Sequence, residues 1–437
     1  MSMLKRLPLF PLNSSVNDRG HLVIGGCDTV TLAAKFSTPL YLYDELTLRA
    51  KCREFKEEFG KRYPNIMVIY ASKAYSNGVL LQLVKTEGLG LDVVSEGELG
   101  IAESVKFPMG KIYFHGNNKS LRELELALKL HVGRIVVDNF YELEMLDKLT
   151  KKSRVKQDIL LRMTPGVDPH THKYTSTGSL DSKFGFPLPL KEEAVAGALK
   201  IRGLNVVGLH FHIGSLIYET EPYVESAKLV LKFAADMRNK YGLELSELST
   251  GGGFAVQYTL DKPAPPISLF AQKLTSAIIA ECHKYRMELP KLIVEPGREI
   301  VAQAGVALYT VGVIKEIPGV RTYSAVDGGM GDNICPPLYG EKMEAVLANR
   351  MRARNAGKVT VCGKFCESGD ILIRDIVMPK LAAGDILAVA VNGAYSIPES
   401  MNYNACFKPP VIMVKNGKAR LIRRRETLED ITRCDVK

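Results

Sequence analysis

Eight short apolar runs recur along the first two thirds of the chain, each ending in polar residues and each followed by an amphipathic stretch. They are Ile66–Tyr70, Gly90–Val94, Lys111–Phe114, Arg134–Val137, Ile159–Arg162, Val206–Leu209, Leu245–Leu248 and Leu292–Val294. Between them the apolar residues take helical spacing, as in Leu121–Gly133 and Glu221–Gly242. The second of these has Pro222 at an early helical position and stops at a glycine, as helices tend to. Strands alternating with helices also describe an open doubly wound sheet. The count of eight, and the absence of GxGxxG after the first run, favour a closed parallel (β/α)8 barrel, the TIM barrel.

From about residue 300 the pattern changes. VALYTVGVIKEI, RTYSAVDGG, KVTVCGKF, DILIRDIVMP and DILAVAVNGAY are strand-like runs with no helix between them, and Asn416-Gly417 predicts a hairpin turn. This predicts an all-β second domain, with a helix over Met343–Asn355 inside it.

Composition narrows the function class. At 437 residues, 46% apolar and 24% charged, the chain has the make-up of a soluble protein with two cores. No apolar run approaches the roughly 20 residues of a membrane span. The N-terminus has neither the apolar stretch nor the cleavage site of a secretion signal, so a cytoplasmic location and no membrane partner are expected. Eight cysteines are too few for a disulfide scaffold, and Cys362 and Cys366 lack the further ligands of a zinc site, so no metal is expected. Most of the cysteines read as small buried hydrophobes. The net charge of +10 has its densest cluster at Arg420–Arg425, which lacks interleaved aromatics; it reads as a solvated strand end, and nucleic acid is not an expected partner. A positive field suits phosphate-bearing cofactors and dicarboxylate substrates.

The chemistry gathers at the strand ends. Barrels of this kind carry reactive groups there, and the predicted strands run into YASK, LDVVSEGE, YFHGNNKS, VVDN, LRMTPG, LHFHIGS, LSTGGG and VEPGR. Lys73 lies three residues past an apolar run, where lost solvation would lower its pKa and free its amine to form a Schiff base. Gly251–Phe254 (GGGF) allows backbone N–H groups close to a phosphate, although glycine runs are often only turns. Glu295 and Arg298 place an acid and a guanidinium at the last strand end. His210 and His212 fall on one side of a strand; one would stack on an aromatic cofactor while the other is a core histidine.

Taken in order, YASKA, HIGS, GGGF, EPGR, CESGD and GAY…NYN resemble the fold-type III pyridoxal phosphate (PLP) decarboxylases, a family related to alanine racemase, over nearly the whole chain. The resemblance implies a barrel over 40–298 and a β-domain formed by 1–39 with 299–437. It implies pyridoxal 5'-phosphate as cofactor, Lys73 as the Schiff-base lysine and His212 stacked on the pyridine ring. Asp92, Ser215 and the backbone of Gly252 and Gly253 fall to the cofactor, the last three to its phosphate. Glu295 pairs with the pyridine nitrogen, which favours decarboxylation, since a protonated ring accepts the electrons left by CO2. Arg298 is implied in binding both cofactor and substrate, Tyr339 and Glu367 in substrate binding, and Tyr395 in contact with both cofactor and substrate. Cys366, the implied proton donor, and Glu367 would come from the second subunit of a homodimer with shared sites.

The implied reaction is that of the diaminopimelate-decarboxylating branch, meso-2,6-diaminopimelate to L-lysine and CO2. One position departs from it. The family stretch DNxRPxLY reads Asp332-Asn333-Ile334-Cys335-Pro336-Pro337-Leu338-Tyr339, so Cys335 replaces an arginine that binds the distal carboxylate. The run after NYN is altered too, leaving Lys408 as a cation that would compensate. A sister decarboxylase acting on D-ornithine, D-lysine or a siderophore or polyamine intermediate is the alternative. A non-catalytic PLP-binding protein is a further one, against which the intact Lys73, Glu295 and Cys366 speak.

Overall fold

Runs of consecutive apolar residues suit strands covered on both faces, and the eight runs form such strands. In the computed structural model, which describes residues 3–168 and 182–436, they are Ile66–Ala71, Gly90–Val93, Ile112–Phe114, Arg134–Val137, Gln157–Arg162, Leu204–His210, Glu247–Ser249 and Lys291–Val294. All pair in parallel, and the last pairs with the first, Leu292 opposite Ile66, to close a barrel. Ile69, Tyr113, Val136, Leu160, Val207 and Ile293 fill its interior. The barrel belongs to one of two compact units, Cys52–Ala255 with Ala264–Gly297.

Some polar residues at the strand ends serve the helices rather than chemistry. Ser95, Ser120 and Asn139 are N-caps, each accepting from a backbone N–H three residues on, and Ser120 forms a capping box with Glu123. The helix expected over Leu121–Gly133 stops at Lys129, whereas Glu221–Tyr241 runs to Gly242, which caps it at φ 73°.

The second unit is Met1–Lys51, Val256–Pro263 and Arg298–Lys437, built on a nine-stranded sheet. Leu40–Asp44 lies in its middle, antiparallel to Gly305–Ile317 and parallel to Val411–Lys415. Asn416 and Gly417, both at positive φ, turn Val411–Lys415 back into Lys418–Arg423. At the basic cluster, Arg424 pairs with Asp430 while Arg425 donates to the carbonyls of Ser37 and Pro39.

The helix expected over Met343–Asn355 does not form. Ala345–Leu347 is a strand, antiparallel to Ile386–Val389, and its three residues are fully buried. Burial at consecutive positions needs cover on both sides, which an amphipathic helix lacks. Arg6 supplies part of that cover, pairing with Glu344 at 2.6 Å and donating to the Ala345 carbonyl.

Beside this sheet, Asp332 is buried with Tyr309 Oη at 2.5 Å and the Gly329 N–H at 3.1 Å. Burial pushes its carboxyl up to about 7, against donors that hold it down. The folded state therefore holds a proton that the unfolded chain releases near pH 4. Its stabilising contribution is complete below that pH and disappears as pH rises through about 7. Asp332→Asn should flatten this part of the stability profile, read as the urea midpoint between pH 4 and 8. An unchanged slope would contradict the assignment.

Candidate active site

Lys73 stands on a single helical turn, Ser72–Ala74, directly after the first barrel strand, and is exposed. The turn is tied to the second strand by Ser72 Oγ, which donates to the Asp92 carbonyl at 2.7 Å. The positive charge of Lys73 reaches the Asp92 carboxylate and the His212 ring, placing all three in one electrostatic neighbourhood.

Glu295, at the end of the last strand, is buried and faces two imidazoles. His210 Nε2 is 3.3 Å from Oε2, His115 Nε2 is 3.5 Å from Oε1, and Ser249 Oγ donates to Oε1 at 2.6 Å. Burial pushes this carboxyl up, but the facing His115 and His210, with the bonds from His210 and Ser249, hold it below the ordinary range. Burial pushes both imidazoles below their usual range, while the charge of Glu295 pulls them back up. Asp92 goes the other way: burial, and then the charge of Glu295, raise it well above a normal carboxyl. Asp92 and Glu295 therefore titrate in opposite directions, Asp92 upwards and Glu295 downwards. Arg162, buried and stacked 4.3 Å above the Phe184 ring, adds a positive field to the same group.

The glycine loop follows the seventh strand and threads between two other strand ends. A Cβ on Gly252 would lie 2.0 Å from the Glu295 carbonyl oxygen, and one on Gly253 would lie 2.0 Å from that of Gly214. Gly251 and Gly253 also sit at φ 69° and 93°. The loop orients His212, whose Nδ1 accepts from the Gly252 N–H at 3.2 Å; when neutral, the ring carries its proton on Nε2. Ser215 is half-buried in the loop that Gly253 approaches. Gly252→Ala should displace this backbone and weaken cofactor binding at least about tenfold in a titration, at a cost in line with other buried clashes. Wild-type affinity in that variant would mean that the loop is no part of the cradle.

These features fit pyridoxal phosphate. Asp92 Oδ1, His115 Nε2 and His210 Nδ1 are buried polar atoms without a hydrogen-bond partner among the described residues. A carboxyl held below the ordinary range sits among them. A cradle that admits only glycine lies to one side and a lysine at the rim. A flat aromatic ring with a basic nitrogen, a phosphate and an aldehyde uses each of these. His115, Ser249 and Arg162 belong to the group but carry no assigned role from the sequence. Each lay in a polar strand-end stretch, the one signal that pointed to it.

The other residues singled out by the sequence lie in the other unit. Arg298 is buried there, bonded to Tyr258 Oη, 3.3 Å from Glu341 Oε1 and 4.6 Å above the Tyr395 ring. Its charge and that of Glu341 act on the hydroxyl of half-buried Tyr339, which burial pushes up. Cys366 and Glu367 occupy a separate, exposed loop. Asp370 holds that loop by accepting from the N–H groups of Phe365 at 2.9 Å and Met330 at 2.7 Å. The Cys366 N–H donates to Asn404 Oδ1 at 3.0 Å. Cys27, Cys52, Cys282 and Cys335 are buried, half of the set that was expected to be mostly so.

Residues 46–302 match the family model of the pyridoxal-dependent decarboxylase, pyridoxal binding domain. The chain is 45% identical to the diaminopimelate decarboxylase of Bacillus subtilis over 425 residues, 97% of each chain. It is 42% identical to that of Synechocystis, covering 98% of this chain and 92% of the relative. Among solved structures, the diaminopimelate decarboxylase of M. jannaschii in complex with L-lysine superposes with a TM-score of 0.89 at 34% identity, over 97% of this chain and 98% of that one. A lysine/ornithine decarboxylase from Vibrio vulnificus shares the fold, with a TM-score of 0.76 at 22% identity over 92% of this chain and all of that one. With the acid, the glycine cradle and the rim lysine at the mouth of one barrel, and with relatives matched end to end, the chain belongs to the pyridoxal-dependent decarboxylases.

Proposed function

We propose that this chain decarboxylates meso-2,6-diaminopimelate to L-lysine and CO2 as a homodimeric cytoplasmic enzyme. The observation that carries the chemistry is the buried Glu295 at the end of the last barrel strand, facing His115, His210 and Ser249. The end-to-end similarity to diaminopimelate decarboxylases supports the substrate. No described helix is long and apolar enough to cross a membrane.

When bound, pyridoxal phosphate supplies an electron sink for the pair released as the substrate carboxylate leaves. In this reading, the barrel unit holds the cofactor and the sheet unit serves the substrate. Lys73 holds the cofactor covalently through its amine. Ser215, Gly252 and Gly253 hold the phosphate, and His212 packs on the ring in the orientation that the Gly252 N–H fixes. Glu295 keeps the ring nitrogen protonated, and Asp92, buried beside it, makes a further contact to the cofactor. Arg298, Tyr339, Tyr395 and Glu367 hold the substrate. Cys366, contributed by the partner subunit, returns a proton to the carbon that lost CO2.

A second reading, a sister decarboxylase of another diamino acid, rests on one observation, the buried thiol of Cys335 in place of a guanidinium. A panel of amino acids with CO2 detection decides between the two. Release of CO2 and L-lysine from meso-diaminopimelate is expected. Turnover confined to a diamino monocarboxylate would favour the sister enzyme. An absorbing cofactor with no turnover of any amino acid would leave only a binding protein.

A further inference from the structure

The surroundings of Arg298 carry more negative charge than the motifs imply. Its guanidinium meets Glu341, whose side chain is only 10% exposed and whose Oε2 is buried with no hydrogen-bond partner among the described residues. A second carboxylate stands close by. Glu399 Oε2 is 3.8 Å from the Sγ of buried Cys335. Burial pushes the Glu399 carboxyl up, while the charge of Arg298 and the thiol hold it down. Glu399, Cys335, Glu341 and Arg298 all act on the hydroxyl of Tyr339. Two acids and one guanidinium thus surround this tyrosine, and the position from which a second guanidinium would be expected holds an uncharged thiol.

Charge arithmetic then selects the ligand. A carboxylate entering this cluster would meet two like charges and one opposite one; an ammonium meets the reverse, with Oε2 of the neighbouring Glu341 still without a partner among the described residues. We propose that Glu399 is a substrate-binding carboxylate that receives an ammonium at the substrate end remote from the departing carboxyl. Diamino monocarboxylates are accordingly substrates of this chain. This rests on the reading above that Arg298 and Tyr339 face the substrate.

The test uses the holoenzyme and three substrates: meso-2,6-diaminopimelate, lysine as either enantiomer, which lacks the distal carboxylate, and 2-aminopimelate, which lacks the distal ammonium. Wild type should release CO2 from lysine. Glu399→Gln should raise KM for lysine and for diaminopimelate about tenfold or more, the scale of one charge-assisted contact, with kcat within about threefold. KM for 2-aminopimelate should stay level or fall. Glu399→Asp, which keeps the charge, should restore most of the affinity for the two ammonium-bearing substrates. An equal change on all three substrates, or no turnover of either lysine enantiomer by wild type, would overturn the proposal. CO2 from lysine with none from diaminopimelate would sink the diaminopimelate reading and leave this one standing. Turnover of diaminopimelate indifferent to Glu399 would do the opposite.

Discussion

Lys73→Ala should lose covalent cofactor attachment and at least about 10³-fold in kcat, the scale of removing a covalent catalytic group. The lysine is exposed at the rim, and the turn that carries it is held by Ser72 and by the Ala71 N–H, which donates to the Pro296 carbonyl. The variant should therefore fold with its thermal midpoint close to wild type. Absorbance of the protein after gel filtration reads the attachment, and CO2 release reads the rate. A variant that keeps both would show that another amine carries the cofactor.

The second large effect is expected at Glu295. Gln in its place keeps the shape and one acceptor oxygen but cannot hold a proton on a pyridine nitrogen. The loss should be about 10²–10³-fold in kcat, comparable with removing one preorganised electrostatic contact, while the cofactor stays attached. The surroundings change as well. With the charge gone, the like-charge pressure on Asp92 disappears and its carboxyl should fall towards the normal range. The two imidazoles lose the charge that opposes their burial, so their pKa values should fall further. A kcat within about threefold of wild type, with the absorbance band retained, would mean that the ring nitrogen has no need of this acid.

The barrel was legible because its signal is periodic and repeated. Eight buried runs, each followed by an amphipathic helix, leave few other architectures, and the Asn416-Gly417 hairpin was equally plain. Lys73, Glu295 and the glycines stood out because few backbones need those residues at such places. His115 and Ser249 did not, since a single histidine or serine at a strand end looks the same whether it caps a helix, as Ser95 and Ser120 do, or faces Glu295. Met343–Asn355 misled because helical spacing is a local signal. The covering contacts from Arg6, more than three hundred residues away in sequence, decide its fate. Glu341 and Glu399 went unnoticed for the same reason, because only the fold brings their charges to Arg298 and Cys335.

Borohydride reduction of the wild-type holoprotein, followed by peptide mapping, puts the central assignment to the most direct test. One pyridoxyl phosphate group per chain, on the peptide that contains Lys73, is the result expected. A label on any other lysine, or an unlabelled chain that still releases CO2, would contradict it.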